Sequence, residues 1–141
     1  MNTSNFLDAN VWMALLWNRH LHSAEARQWF EQAGDQEFFY CRFTQITVLR
    51  LLTTEGVMGS DTRTMAEAWK VWDHLRGDSR VACLPEPSGL EREFRSRSNL
   101  ATRSPKVWAD AYLSSFAKSA GLKLVTFDRA LRTLGDFVVV L

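Results

Sequence analysis

Short apolar runs alternate with amphipathic helical stretches along the whole chain, and this alternation constrains the fold more than any other feature. Residues 4–7, 37–41, 80–84, 122–126 and 137–141 read as strands, and helical stretches separate them. Strands separated by helices imply parallel pairing through right-handed crossovers, and so an open α/β sheet with helices on both faces. A run as uniformly apolar as residues 137–141 suits a strand buried on both sides. The expected fold class is therefore α/β: a three-layer α/β/α sandwich around a parallel sheet of about five strands. In such sheets a site lies outside the carboxyl ends of the strands, where strand order reverses.

Helix signals fill the gaps. Residues 9–17 carry Val11, Trp12, Leu15 and Leu16 on one side. Residues 23–33 form a second helix, capped by His22 or Ser23 and stopped by Gly34. Residues 43–54 present Ile46, Leu49 and Leu52 as an inner stripe, with Val48 beside them. Asp61 reads as the N-cap of a helix reaching to about Leu75, with Met65, Ala68, Trp69 and Trp72 as its apolar face. Ser88, with Glu91 three residues on, has the capping-box pattern for a short helix. Ser104 followed by Pro105 reads as cap and first helical position of the last long helix. Residues 127–134 form a turn or short helix.

Composition excludes more than it selects. A chain of 141 residues, 46% apolar with six Trp and nine Phe, is long enough to bury a core and fits a single domain. Seventeen basic against sixteen acidic residues give a formal charge of +1, so any nucleic-acid surface has to be local. Cys41 and Cys83 lack metal-type spacing and read as small buried hydrophobes of a reduced, cytoplasmic protein. No apolar run approaches the roughly 18 residues of a membrane span. No Ser/His/Asp or Cys/His triad and no glycine-rich phosphate loop is apparent.

The chemistry concentrates in three aspartates. Asp8 follows the first strand and Asp128 the fourth, and each taken singly reads as an ordinary helix cap. Asp110 is different, because it falls among Val107, Leu113 and Ala117 in a helix that wants an apolar face. An unpaired aspartate there is costly unless its side chain rotates to solvent or something compensates its charge. If the first and fourth strands are neighbours, their ends lie about 5 Å apart. Three carboxylates converging there repel one another unless a cation neutralises them. An oxygen-rich site of this kind suits Mg²⁺ or Mn²⁺, ions that support phosphoryl transfer.

Three blocks carry a family resemblance: Phe6-Leu7-Asp8-Ala9-Asn10-Val11-Trp12, Trp108-Ala109-Asp110-Ala111-Tyr112-Leu113 and Leu124-Val125-Thr126-Phe127-Asp128-Arg129. In this order the chain resembles PIN domains, and more closely the VapC ribonuclease toxins of bacterial toxin–antitoxin pairs. The resemblance spans essentially the whole chain. It implies a PIN-like α/β/α sandwich and a Mg²⁺-dependent endoribonuclease acting on structured RNA such as tRNA or rRNA. It also implies a homodimer silenced by a VapB-type antitoxin. It assigns Asp8, Asp110 and Asp128 to the acidic cluster, with Asp8 and Asp110 as direct metal ligands. Thr126 matches a hydroxyl residue placed near the metal, and Asn10 stands where it can hydrogen-bond a carboxylate or a phosphate.

One departure matters. The family usually has a glutamate on the helix after the second strand, whereas residues 42–53 here contain no acid and offer Gln45 or Thr47 instead. One tightly held ion is therefore expected, with any second recruited by substrate phosphate. Glu55 falls at the far end of that helix. Arg42, Arg50, Arg95, Arg97, Arg103 and Lys106 are candidate phosphate contacts, the last four leading into the Asp110 helix. Trp12, Trp17, Trp29, Trp69 and Trp72 read as core or dimer interface. His20 and His22 sit in a turn that suits surface roles better than a metal site. Two rival readings are a catalytically degenerate PIN domain that binds RNA or antitoxin without cutting, and a haloacid-dehalogenase-like phosphatase. The latter wants an aspartate where Asn10 stands.

Overall fold

The computed structural model describes residues 4–141. Five strands, β1 (Ser4–Leu7), β2 (Glu37–Tyr40), β3 (Val81–Cys83), β4 (Lys123–Thr126) and β5 (Val138–Val140), pair in parallel in the order β3-β2-β1-β4-β5. Seven helices connect them: α1 (Ala9–Leu16), α2 (Ser23–Gln32), α3 (Arg42–Leu52), α4 (Glu55–Met58), α5 (Met65–Arg76), α6 (Leu90–Ser98) and α7 (Val107–Ala120). Two 3-10 turns, Gly59–Asp61 and Arg129–Leu134, complete the described elements. The expected α/β class and five-stranded parallel sheet are borne out. So is the adjacency of the first and fourth strands: the order reverses between β1 and β4, with Phe6 level with Leu124 and Leu7 level with Val125.

Alternation along these short strands splits the core in two. Phe6 and Leu124 point to a layer with Leu113, Phe116 and Ala117 of α7, and Phe6 stacks on Phe116 at 4.6 Å. Leu7 and Val125 point the other way, into a layer with Trp12, Val48, Leu52 and Trp72 from α1, α3 and α5. There Tyr40 meets Trp72 edge to face at 4.7 Å and Trp12 at 6.1 Å. Trp12 and Trp72 are thus core residues, as expected.

Several local expectations need correction. The stripe assigned to α3 is rotated: Ile46 is exposed and Leu49 half-buried, while Thr44, Gln45, Val48 and Leu52 are buried. On α5, Met65 and Trp69 are exposed, and Ala68, Trp72 and Leu75 carry the buried face. Its cap is Thr64, which accepts from the Glu67 N–H while the Glu67 carboxylate accepts from the Thr64 N–H. Asp61 instead accepts from the indole N–H of Trp17 at 2.8 Å. No capping box forms at Ser88; Gly89, at φ 83, begins α6 without a side-chain cap. Ser104 and Pro105 lie in a turn before α7, closed by the Val107 N–H on the Ser104 carbonyl, and Lys106 takes the cap position. Cys41 is buried as expected but Cys83 is exposed. No helix among the described residues is long and apolar enough to cross a membrane.

Candidate active site

The site forms where β1 and β4 end side by side. Because Leu7 is level with Val125, the next residues, Asp8 and Thr126, meet across the strand gap. The Asp8 N–H donates to the Val125 carbonyl at 2.9 Å, continuing the ladder past the last residue of β1. Asp8 then leaves the sheet and caps α1, its Oδ1 accepting from the Ala9 N–H at 2.8 Å. Its Oδ2 accepts from the Thr126 hydroxyl, also at 2.8 Å.

Thr126 is fully buried and its oxygen is the hub of a network. It accepts from the Asn10 amide at 3.2 Å and from the Asp128 N–H at 3.0 Å, while its proton goes to Asp8. Asn10 Oδ1 accepts from the Phe127 N–H at 3.3 Å, so one side chain of α1 ties down the turn after β4. Asp128 caps the following 3-10 turn through the Ala130 N–H at 3.0 Å. Asp8, Asn10, Thr126 and Asp128 are therefore one connected unit, in which Asn10 bonds the Thr126 hydroxyl and the Phe127 N–H, not the carboxylate or phosphate expected of it.

Asp110 completes the edge without joining that network. It lies in the first turn of α7, not in its interior as the apolar spacing implied, and an acid is favoured there by the helix dipole. Among the described residues its carboxylate receives no hydrogen bond and no salt bridge. Burial pushes its pKa up first, and the negative charges of Asp8 and Asp128 push it further. Asp8 is also raised, mainly by burial, against the opposing hydrogen bonds from Thr126 and Ala9 and with a smaller push from Asp128. The charge of Asp128 thus acts on both Asp8 and Asp110, and that of Asp8 on Asp110, across space.

This donor set fits a hard divalent cation. Its atoms are carboxylate oxygens, and no arginine or lysine among the described residues pairs with any of them. Yet among the described residues no three His, Cys, Asp or Glu side chains gather closely enough to enclose an ion. Such an open arrangement suits Mg²⁺, which binds through one or two carboxylates and retains waters. The helix lacking the family's glutamate presents neutral groups. Thr44 and Gln45 are buried, Gln45 accepts from the Arg42 guanidinium, and Thr47 spends its hydroxyl on the Phe43 carbonyl.

The basic residues are placed less uniformly. Arg103 and Lys106 are exposed and have no carboxylate partner among the described residues, and the same holds for Arg42 and Arg50. Arg95 is exposed but 3.5 Å from Glu91. Arg97 is the exception: it pairs with Glu93 at 3.1 Å, donates to the Leu134 carbonyl and lies over the Phe137 ring. Its guanidinium braces α6 against the last turn, a use that differs from the phosphate contact expected. His22 stacks on Phe127 at 4.3 Å, so the histidine turn packs beside the site. Trp108, overlooked among the tryptophans, is 58% exposed just ahead of Asp110. Its position inside the basic stretch was the available signal.

Comparison with known proteins gives the family and the fold. The family model for the PIN domain matches residues 6–136. Ribonuclease VapC41 of Mycobacterium tuberculosis is 38% identical over 133 residues, covering 91% of each chain. The crystal structure of M. tuberculosis VapC20, described as a sarcin-ricin loop cleaving toxin, superposes with a TM-score of 0.65 at 15% identity, covering 93% of this chain and 95% of that one. VapBC2 from Rickettsia felis, solved with a DNA fragment from its promoter, gives a TM-score of 0.66 at 12% identity over 99% and 98%. At these identities the two solved structures speak for the fold.

Proposed function

The chain belongs to the PIN-domain family and within it to the VapC proteins, and from that premise we propose that it is a metal-dependent endoribonuclease, the toxin of a type II toxin–antitoxin pair. The observation that carries this reading is the acidic edge. At the strand-order reversal burial raises the cost of ionising Asp8 and Asp110, the charge of Asp128 adds to both, and no basic side chain among the described residues pairs with them. Asp8 and Asp110 are the residues to hold Mg²⁺, or Mn²⁺ in its place, with Asp128 in the outer shell. Such an ion supplies Lewis-acid polarisation of the phosphodiester and lowers the pKa of a water for in-line attack.

The chain's own groups do the positioning. The Thr126 hydroxyl holds Asp8 Oδ2 in place, and Asn10 fixes the turn that carries Asp128. Both roles keep carboxylates oriented that would otherwise swing apart under mutual repulsion. With neutral Gln45 or Thr47 where the family usually has a glutamate, a single tightly held ion is the favoured stoichiometry. The proposed partners are a VapB-type antitoxin, which the VapBC complex among the structural neighbours supports, a second copy of this chain, and a structured RNA substrate such as tRNA or rRNA. Residues 1–141 act as one domain.

The same neutral α3 favours one second reading, a PIN domain that binds RNA or antitoxin without cutting. Incubating the protein with total RNA in Mg²⁺, in EDTA, and after Mg²⁺ is restored separates the two. New, mappable 5′ ends in Mg²⁺ that vanish in EDTA and return on restoration are expected. RNA retained on the protein with no new ends in any condition would favour the degenerate domain.

A further inference from the structure

Two shallow grooves meet at Trp108. One, of about 420 Å³, is lined by Asn99, Leu100 and Arg103; the other, of about 440 Å³, by Phe94, Arg95 and again Asn99. Trp108 lines both. Its indole is 58% exposed and Leu100 beside it 55%, in a stretch otherwise basic and polar. Single exposed apolar residues are ordinary, and Leu21 and Met65 are more exposed still; Trp108 differs in sharing a groove with exposed Leu100 and an exposed arginine. The ring is also held: Phe94 meets it at 6.1 Å in a near edge-to-face arrangement, so the exposed indole is supported from beneath. Arg103, which lines the first groove, and Lys106, two residues before Trp108 in the chain, are both exposed and without carboxylate partners among the described residues.

A propped aromatic face with unpaired cations beside it is the chemistry of single-stranded nucleic acid binding, where bases stack and phosphates are neutralised. An apolar protein partner would leave Arg103 and Lys106 without complementary charge. We propose that Trp108 is a stacking platform for an unpaired RNA base, with Asn99 reaching the base edge and Arg103 and Lys106 holding the adjacent phosphates. Trp108 is the second residue of α7 and Asp110 the fourth, about 200° apart around the helix, so an RNA strand stacked on Trp108 would pass around the first turn of α7 to bring a phosphodiester to the acidic edge. That last placement rests on the ribonuclease reading; the stacking itself does not.

The test is binding in EDTA, where cutting is blocked, of fluorescently labelled oligo-A and of an RNA duplex of equal length. Wild type, Trp108→Ala and Trp108→Phe are compared. Stacking on an aromatic platform predicts that Trp108→Ala weakens oligo-A binding about ten-fold while Trp108→Phe keeps most of the affinity. Duplex binding should be the same for all three. Equal oligo-A affinity for wild type and Trp108→Ala overturns the proposal and leaves the exposed indole to a protein partner. Equal losses on oligo-A and duplex overturn it too, since stacking on an unpaired base cannot weaken a duplex. Metal-dependent cleavage is scored separately. A wild type that cuts while Trp108→Ala binds normally sinks only the platform. A wild type that never cuts but loses oligo-A with Trp108→Ala sinks only the ribonuclease.

Discussion

At the scale of single residues, charge and hydrogen bonding around Asp8 decide most of what can be measured. The raised pKa values of Asp8 and Asp110 mean that the folded chain without metal pays for ionising them. Removing one such charge should stabilise the metal-free protein, so Asp110→Asn is expected to melt about 2–3 °C above wild type in EDTA. Added Mg²⁺ should then raise the melting temperature of wild type but not of the variant. A thermal melt of both proteins with and without the ion checks both expectations. Thr126 works in the opposite sense. Thr126→Val keeps the shape but strands the Asn10 amide, the Asp128 N–H and one oxygen of Asp8, and should cost about 1–3 kcal/mol in urea unfolding. These roles were legible in part: the strand-end aspartates and Asn10 announced themselves. The reach of Thr126 to three partners depends on the β1–β4 register, which short strands do not reveal on their own.

At the scale of elements, local rules held where the pattern was redundant and failed where one residue had to decide. Strand positions came through because most are apolar runs framed by helices; β1, Ser4-Asn5-Phe6-Leu7, carries the weakest pattern of the five. Helix faces did not: a shift of one position on α3 turns Ile46 outward and brings Thr44 and Gln45 in, against their polarity. Nothing in the hydrophobic period signals that reversal, since the buried polar pair is satisfied by Cys41 and Arg42. The start of α5 is the other case. Asp61 and Thr64 are both good caps, and the reciprocal bond to Glu67 selects Thr64. Thr64→Ala should therefore destabilise the protein by about 1 kcal/mol, whereas Asp61→Ala should act through the lost Trp17 contact and leave α5 helical. Urea unfolding of the two variants, with helix content followed by circular dichroism, distinguishes them.

At the scale of the whole molecule, the fold's contribution is to bring residues far apart in sequence to one sheet edge. Asp8, Asp110 and Asp128 were each visible in the chain; the strand order β3-β2-β1-β4-β5 sets the ends of β1 and β4 side by side, and α7, which leads into β4, brings Asp110 within reach of their charges. The near-neutral charge of +1 gives no global attraction to RNA, so the proposed RNA binding would have to rest on local cations such as those before α7. Stability should also carry the signature of the acidic edge. Below the ordinary carboxylate value of 3.8, Asp8 and Asp110 are protonated folded or unfolded and contribute nothing to the pH dependence. As pH rises through their raised folded values, their ionisation favours unfolding, and metal-free stability should fall relative to Asp110→Asn. Saturating Mg²⁺ should flatten that fall. Asp78 runs the other way, because its hydrogen bond from Arg80 lowers its pKa and adds stability that is lost only as pH drops below the ordinary range. The most direct test of the acidic edge as a working site is RNA cleavage in Mg²⁺ by wild type and by Asp110→Asn, each shown by circular dichroism to be folded. The account predicts cleavage by wild type and a loss of at least about a hundred-fold in the variant. Equal cleavage by the two proteins would contradict it.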